Sequence, residues 1–161
     1  MRISISTNTQ GTYSSVVPDA VSNLLLQSLQ KEIPLTTLSK DLHCTVMYSR
    51  TVLPSTLNQR LNDFSAFEYE SHIQEINWWA GHDGLGYIVA TLGSHSLETE
   101  HKRLITLGLV STFEPYVPHI TLANCKQSPH DKTWYKLLRL IVRRNQYNIK
   151  LNHQSIEPLE E

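Results

Sequence analysis

The sequence predicts an α+β fold in which helices cover an antiparallel β-sheet. Two patterns interleave along the 161 residues. In some segments apolar residues alternate, as in strands, and in others they recur every three or four positions, as in helices. A cluster of glycines after one long alternating segment turns the chain back as a hairpin, which makes that strand pair antiparallel. With 40% hydrophobic and 18% charged residues, we expect one folded domain over residues 1–161.

The N-terminal segments predict a strand followed by a helix. Ile3 and Ile5 alternate with polar residues in a first strand that continues towards Gly11 and Tyr13. A helix is expected to begin at Pro18–Asp19 and to end at Pro34. Between these signals an apolar residue recurs at every fourth position, namely at Val21, Leu25, Leu29 and Ile33.

The middle segments predict strands and a hairpin. Residues 42–48, LHCTVMY, have the composition of a strand, and residues 54–63 are expected to form a short helix. Residues 67–79 alternate over a long run that ends in a pair of tryptophans. Three glycines at positions 81, 84 and 86 then turn this strand back into a partner over residues 87–92, YIVATL.

The C-terminal segments predict two more helices and two more strands. A helix is expected over residues 96–107 and a strand over residues 117–123. The alternation in residues 147–151 predicts the last strand. Between these strands, a third helix is expected to begin at Ser128–Pro129 and to present an apolar face made of Trp134, Leu137, Leu138 and Ile141.

Two of the predicted strands, one in each half, carry the same motif, His-x-Thr followed by an aliphatic residue. Residues 43–46 are HCTV, and residues 117–122 are VPHITL. Side chains alternate along a strand, so the histidine and threonine of each motif face one side and the other residues face the opposite side. If the halves are related by a rough two-fold axis, both His-Thr pairs converge in one cleft. The opposite faces carry residues that favour a core, namely Cys44, Val46, Ile120 and Leu122.

Two histidines and two threonines in one cleft suit phosphodiester cleavage. A neutral imidazole can take a proton from the nucleophile, and a protonated imidazole can give one to the leaving oxygen. Threonine hydroxyls can donate to the phosphoryl oxygens, where charge builds up in the transition state. This scheme requires no metal and no other cofactor, and attack by a neighbouring 2′-hydroxyl fits it. The alternative, two ordinary half-buried histidines on unrelated strands, is disfavoured by the matching strand phase and the matching aliphatic neighbours.

The paired motifs resemble those of the two-histidine (2H) phosphoesterase superfamily, which includes cyclic phosphodiesterases and RNA 2′,5′-ligase-like proteins. Residues 115–122, PYVPHITL, are very similar to that family's second motif, with a proline directly before the histidine. The resemblance implies two similar α+β lobes, each an antiparallel sheet covered by helices, that face each other across a central groove. It also implies four catalytic residues, His43, Thr45, His119 and Thr121.

Within the superfamily, the compact size and the Gly-Thr-Tyr segment at residues 11–13 are similar to the phage anti-CBASS protein 1 family. Members of that family degrade the cyclic di- and trinucleotides that bacterial immune systems use as alarm signals. In them a ribose 2′-hydroxyl attacks the adjacent 3′–5′ phosphate. The resemblance thus implies a metal-independent phosphodiesterase that acts on a cyclic oligonucleotide such as 3′,3′-cyclic GMP–AMP (3′,3′-cGAMP) in the cytoplasm of the host cell.

Two other functions stay open. An enzyme of the same superfamily would act on RNA ends, as a 2′,3′-cyclic phosphodiesterase or a 2′,5′-linkage enzyme. The formal net charge of −1 argues mildly against a long RNA substrate, because such proteins carry a basic groove. A non-catalytic nucleotide sponge would use the same cleft for binding alone, but it has no need for two proton-transfer groups.

Three further residues are candidates for substrate binding. Tyr13 is a candidate to stack on or hydrogen-bond a nucleotide, and a plain turn-flanking tyrosine is the alternative. Trp78 and Trp79 face opposite sides of their strand, so at most one reaches the groove. Trp78 is the candidate for base stacking, with a core position as the alternative. Glu157 is a candidate acceptor for a base edge, with a solvated acidic tail as the alternative.

The composition argues against several other classes of protein. The eight histidines show none of the spacings typical of metal sites. The two cysteines are isolated, which suits free thiols in a reducing compartment. The sequence contains no run of about 18 apolar residues, so no transmembrane helix is predicted. The N-terminus lacks the apolar core of a signal peptide. We therefore expect a cytoplasmic protein that binds neither membranes nor long nucleic acids.

Overall fold

The computed structural model describes residues 11–52, 60–82 and 84–159. These residues form six strands and three helices. The predicted α+β class is confirmed. In chain order the elements are β1 (Thr12–Pro18), α1 (Ala20–Gln30), β2 (Cys44–Ser49), β3 (Glu68–Ala80), β4 (Gly86–Gly93), α2 (His95–Thr106), β5 (His119–Asn124), α3 (Thr133–Asn145) and β6 (Asn148–Pro158).

All strand pairs are antiparallel, and the strands close into a barrel in the order β1-β2-β5-β4-β3-β6. The closure divides into two three-stranded lobes, β6-β1-β2 and β5-β4-β3. Each lobe contains the same unit, in which a helix connects two neighbouring strands: β1-α1-β2 in one and β4-α2-β5 in the other. The two lobes implied by the resemblance are therefore present. Their sheets are joined along two seams, β2–β5 and β3–β6.

The two seams between the lobes differ greatly in length. At the β3–β6 seam, paired residues run continuously from Glu68↔Asn152 to His72↔Asn148. At the β2–β5 seam a single pair, Cys44↔Ile120, is formed. Both motif strands therefore lie at the seam where the backbone ladder is shortest, and side chains must supply most of the contact between them there.

The first two helices begin at capped residues and pack apolar side chains on the barrel. Asp19 caps α1 by accepting the backbone N–H of Ser22 at 2.8 Å, and Ser94 caps α2 by accepting that of Leu97 at 3.1 Å. The buried aliphatic residues are Leu26 and Leu29 in α1 and Leu97 and Leu104 in α2.

The buried face of α1 differs in part from the predicted stripe. Val21 is 74% exposed, and Leu26 is buried in addition to the predicted Leu29. The helix ends at Gln30, so Ile33 packs in the core from beyond its end.

The third helix differs from the prediction in its start and in its buried face. Residues before it form a turn, in which the Lys132 N–H donates to the carbonyl of Pro129, and the helix begins at Thr133 rather than at Ser128–Pro129. The buried residues of α3 are Tyr135, Leu138 and Val142. Leu137 is 53% exposed, so the predicted apolar stripe is rotated by about one residue.

Two predicted elements fall outside the described residues, wholly or in part. The beginning of the first predicted strand, at Ile3 and Ile5, lies in residues 1–10, and most of the predicted short helix lies in residues 53–59. Within the part of the chain that the structure describes, no helix is long and apolar enough to cross a membrane.

Candidate active site

The four motif residues come together at the β2–β5 seam. Cys44 pairs with Ile120, and both are fully buried, as are Val46 and Leu122. Because side chains alternate, the adjacent His and Thr residues face the opposite side of the sheet. The antiparallel register, continued by one residue in each direction, sets His43 opposite Thr121 and Thr45 opposite His119. The strand phase predicted from the motifs is therefore the phase of the structure.

The two histidines are held in the same way. His43 Nδ1 lies 2.9 Å from the carbonyl oxygen of Asp41, and His119 Nδ1 lies 2.9 Å from that of Val117. In each case the acceptor is the residue two positions earlier. Since a carbonyl only accepts, both Nδ1 atoms carry a proton. In each ring Nε2 is thereby left as the nitrogen that can exchange a proton with a ligand.

The imidazole of His119 is enclosed by an aromatic side chain. The Trp79 ring packs against it edge to face, with 4.5 Å between ring centroids. Burial lowers the pKa of His119 below its usual value, the hydrogen bond to Val117 opposes this, and the charge of nearby His43 lowers the pKa further. His119 is consequently biased towards the neutral form, whereas His43 is exposed to solvent.

The Thr45 side chain is coupled to the first strand. The Tyr13 hydroxyl lies 3.3 Å from Thr45 Oγ1, and Tyr13 is half-buried. Glu157 is the register partner of Tyr13 on the neighbouring strand β6, and its side chain is exposed. Two of the predicted substrate-binding residues thus lie on the same side of the site, Tyr13 in contact with a motif residue and Glu157 beyond it.

Two cavities flank the motif residues. The first, which we call the aromatic cavity, has a volume of about 620 Å³ and reaches Thr45, His119 and Thr121. Five tyrosine, tryptophan and phenylalanine side chains also line it, namely Tyr48, Trp79, Tyr87, Phe113 and Tyr116. The second, the polar cavity, has a volume of about 490 Å³, and its walls include Tyr13, Asn23, Lys40, Asp41 and His43.

This arrangement can hold a phosphodiester between two imidazoles. The Tyr13–Thr45 hydrogen bond joins the two cavities, because Tyr13 lines one and Thr45 lines the other. A phosphate at this point lies between the cavity that His119, Thr45 and Thr121 line and the cavity that His43 lines. The apolar rings on one side suit a nucleobase, since every base has a face that stacks.

Comparison with known proteins supports the resemblance seen in the motifs. The model of the family described as "Anti-CBASS protein Acb1" matches residues 10–161. The chain belongs to this family. It is 29% identical over 125 residues to Anti-CBASS protein Acb1 of Vibrio phage KVP40, an alignment that covers 76% of this chain and 78% of the relative. It is 31% identical over 117 residues to Anti-CBASS protein Acb1 of Acinetobacter phage Ac42, covering 71% and 73%.

The fold of this Acb1-family chain is also that of a solved structure. Usb1 of Kluyveromyces marxianus superposes with a TM-score of 0.57 over 93% of this chain and 94% of that one, at 10% sequence identity. The likeness is therefore one of fold. Together with the family match, it confirms the predicted two-histidine phosphoesterase architecture and the class of enzyme, a phosphodiesterase of that type.

One predicted binding residue of this Acb1-family chain needs correction. Trp79, not Trp78, lines the aromatic cavity. Trp78 pairs with buried Ile88 and packs against the core, and its Nε1–H donates to the carbonyl of Cys125 at 2.8 Å. Trp79 pairs with Tyr87, which lines the same cavity. Trp78 therefore takes the core position given above as its alternative, and Trp79, on the other face of the strand, reaches the cavity.

Three further residues lie beside the site without having been predicted from the sequence. Tyr116 donates its hydroxyl hydrogen to the carbonyl of Thr45 at 2.9 Å, and burial raises its pKa, with nearby Cys44 adding to the effect. His101 and Glu114 contact each other at 2.9 Å beside it. Tyr116 lies in the segment PYVPHITL, which carries the second motif. The signal for His101 was a polar residue on the buried stripe of α2, between Leu97 and Leu104.

No group of three or more potential metal-ligating side chains comes together within residues 11–52, 60–82 and 84–159. The absence of a metal requirement stays a prediction.

Proposed function

We propose that this protein is a metal-independent phosphodiesterase that cleaves 3′–5′ bonds of cyclic di- and trinucleotide immune signals, and that it counters CBASS defence in the cytoplasm of the infected host. The observation that carries the proposal is the matched pair of imidazoles. Both have Nδ1 bound to a backbone carbonyl, which leaves Nε2 to face a ligand, and each is two residues before the threonine of its motif on the same face of the strand. The names of the two phage relatives support the anti-CBASS role.

The proposed reaction is an attack by the ribose 2′-hydroxyl on the adjacent 3′–5′ phosphate. His119 takes the 2′-hydroxyl proton, because burial favours its neutral form. The P–O2′ bond forms, the P–O5′ bond breaks, and His43 gives a proton to O5′. The ring opens to a linear product that ends in a 2′,3′-cyclic phosphate and a free 5′-hydroxyl.

The remaining groups bind the phosphoryl group and the nucleosides. The Thr45 and Thr121 hydroxyls donate to the non-bridging oxygens, and Tyr13 orients the Thr45 hydroxyl through their hydrogen bond. Trp79 offers its ring to a nucleobase in the aromatic cavity. The exposed carboxylate of Glu157 accepts from a base edge on the Tyr13 side. A cyclic oligonucleotide such as 3′,3′-cGAMP spans both cavities with one phosphate at the histidines.

The experiment that tests this function uses two substrates and no free metal. The purified protein is incubated in EDTA with 3′,3′-cGAMP and, separately, with a nucleoside 2′,3′-cyclic phosphate, and the products are resolved by chromatography. We expect linearisation of the cyclic dinucleotide. Replacement of either imidazole, in His43→Ala or His119→Ala, should lower kcat by a factor of about 10²–10⁴, the usual contribution of a general acid or base.

Controls and other outcomes separate the rival functions. His95→Ala removes an exposed histidine at the start of α2 and should leave kcat unchanged. Cleavage of the 2′,3′-cyclic phosphate alone would move the substrate to RNA ends. Recovery of intact cyclic dinucleotide after denaturation of a tight complex would identify a sponge. Full loss of turnover in EDTA, restored by a divalent metal, would contradict the metal-independent mechanism.

A further inference from the structure

A buried histidine outside the two motifs contacts the first motif strand and the segment that leads into the second. His101 lies on α2 and is 4% exposed. Its Nδ1 lies 2.7 Å from the carbonyl oxygen of Val46, and its Nε2 lies 2.9 Å from Oε1 of Glu114. The ring therefore links the backbone of β2 to the side chain of Glu114 through its two nitrogens.

The carbonyl that His101 binds belongs to an irregular position in β2. The β1–β2 register passes from Ser14↔Met47 to Ser15↔Thr45, which makes Val46 the extra residue of a β-bulge. An extra residue of this kind has no register partner and locally disrupts the ladder. The hydrogen bond from His101 therefore satisfies a backbone acceptor at the one place where the register of β1 and β2 slips next to Thr45.

The neighbouring carbonyl of β2 is held by the ring that stacks on His101. Tyr116 donates its hydroxyl hydrogen to the carbonyl of Thr45 at 2.9 Å. The rings of His101 and Tyr116 are nearly parallel, with 7° between their planes and 4.1 Å between their centroids. Two stacked rings thus bind two consecutive carbonyls of the first motif strand.

The same pair of rings holds the segment that leads into the second motif. Glu114 and Tyr116 both belong to this segment, and the next residue, Val117, supplies the carbonyl that orients His119. His101 fixes Glu114 through its Nε2, and Tyr116 is fixed between His101 and Thr45. The segment before β5 is therefore attached to β2 by side chains.

This attachment matters because the backbone ladder between the motif strands is so short. β2 and β5 share one register pair, Cys44↔Ile120, and a single pair leaves their separation free to vary towards both ends. We propose that His101, stacked on Tyr116, is a positioning residue that sets the separation of His43 and His119 across the β2–β5 seam. The effect of this positioning on catalysis rests on the phosphodiesterase function proposed above.

The kinetic test compares two substitutions on the same buried stripe of α2. In His101→Gln both donors sit on one nitrogen, so the amide cannot reach the two acceptors that lie against Nδ1 and Nε2 on different sides of the ring. This variant should lower kcat by about 10- to 100-fold with KM changed by less than about 3-fold, because misplaced catalytic groups reduce rate by such factors. Leu104→Val, three residues along, weakens packing in the core and should leave kcat at the wild-type value below its melting temperature. Equal losses of kcat in the two variants would overturn the proposal.

A second measurement needs no substrate. Long-range ¹H–¹⁵N NMR spectra record the imidazole signals of the wild-type protein and of the two variants. The imidazole signals of His43 and His119 should move in His101→Gln and stay in place in Leu104→Val. Unmoved signals in His101→Gln would refute the positioning role even if the protein cleaves cyclic dinucleotides. A wild-type protein without turnover would refute the proposed function, and the spectra would still decide the position of the imidazoles.

Discussion

His43 and His119 make matching hydrogen bonds, but they differ in what surrounds their rings. The ring of His119 is covered by Trp79, which withdraws it from water, whereas His43 stands in solvent at the edge of the polar cavity. Withdrawal from water disfavours the charged form of an imidazole. In the reaction proposed above, this difference assigns the role of base to His119 and that of acid to His43.

The first prediction concerns the pH dependence of catalysis. A general base works when neutral, so kcat/KM falls as the pH drops through the pKa of His119 in the free enzyme. The lowered pKa of His119 places this acidic limb below the ordinary histidine value of 6.5. Trp79→Ala uncovers the ring and raises its pKa, so the acidic limb of the kcat/KM profile should move to higher pH.

Trp79→Phe serves as the matched control for this profile. It keeps an aromatic ring over the imidazole and should retain an acidic limb near that of the wild type. If the limb stays in place in Trp79→Ala as well, the burial of His119 does not set the pKa of the base.

The second prediction concerns the thiol between the first motif's two functional residues. Burial raises the pKa of Cys44 to about 12, so its reactive thiolate is scarce at neutral pH. In the native protein we expect a thiol reagent to label half-buried Cys125 and to spare Cys44, with both labelled in denaturant, as measured by mass spectrometry. Cys125→Ser should show no native labelling. Rapid labelling of Cys44 in this variant would mean that its strand opens at the site.

At the scale of elements, α1 supports the second motif strand through one buried amide. Gln30 is 6% exposed, and its Nε2 group donates to the carbonyls of Ser39 and Leu122, each at 2.9 Å. Leu122 directly follows Thr121 in β5. One side chain therefore satisfies two backbone acceptors and joins the helix of one lobe to a strand of the other.

The third prediction measures this link. Gln30→Ala removes the side-chain donor from two backbone acceptors, of which Leu122 keeps the Ser39 N–H at 2.9 Å. It should lower the free energy of unfolding by about 1–3 kcal/mol, measured by urea denaturation. Gln27→Ala, an exposed position three residues earlier on the same helix, should change it by less than about 0.5 kcal/mol. Similar urea midpoints for the two variants would show that the buried amide contributes no more than an exposed one.

At the scale of the whole molecule, a buried carboxylate joins parts of the chain that are far apart in sequence. Glu100 on α2 is fully buried and forms an ion pair with Arg103 at 2.8 Å. It also accepts from Gln154 of β6 at 2.9 Å and from the backbone of Ser65 at 3.1 Å. Although burial opposes its charge, these donors, Arg103 above all, hold the pKa of Glu100 below its usual value.

The fourth prediction follows from the burial of this pair. Glu100→Ala leaves the partly buried guanidinium of Arg103 without its counter-charge, and it should lower the free energy of unfolding by about 3–5 kcal/mol. For a protein of this size that corresponds to a fall in Tm on the order of 10 °C, measured by calorimetry. Glu98→Ala, an exposed carboxylate on the same helix, should cost less than about 1 kcal/mol. A Tm for Glu100→Ala close to that of Glu98→Ala would contradict the role assigned to the network.

Local patterns in the sequence determined the fold class, most elements and the catalytic face of each motif strand. Alternation is a property of neighbouring residues, so the burial of Cys44 and Ile120 followed from the chain alone. The starts of α1 and α2 also depend on local sequence, because capping side chains act within one turn. The start of α3 did not, because a turn at Pro129–Lys132 competes locally with the helix.

The tertiary structure alone decided which residues complete the site. Alternation separates Trp78 from Trp79 but does not say which face meets the core, and pairing with Ile88 and Tyr87 on β4 settled this. His101 contacts Val46 and Glu114, which lie on other segments of the chain. A local sequence pattern does not show which separate segments come into contact. Hydrogen bonds and packing between separate elements depend on the register of the closed sheet, which exists only once the whole chain has folded.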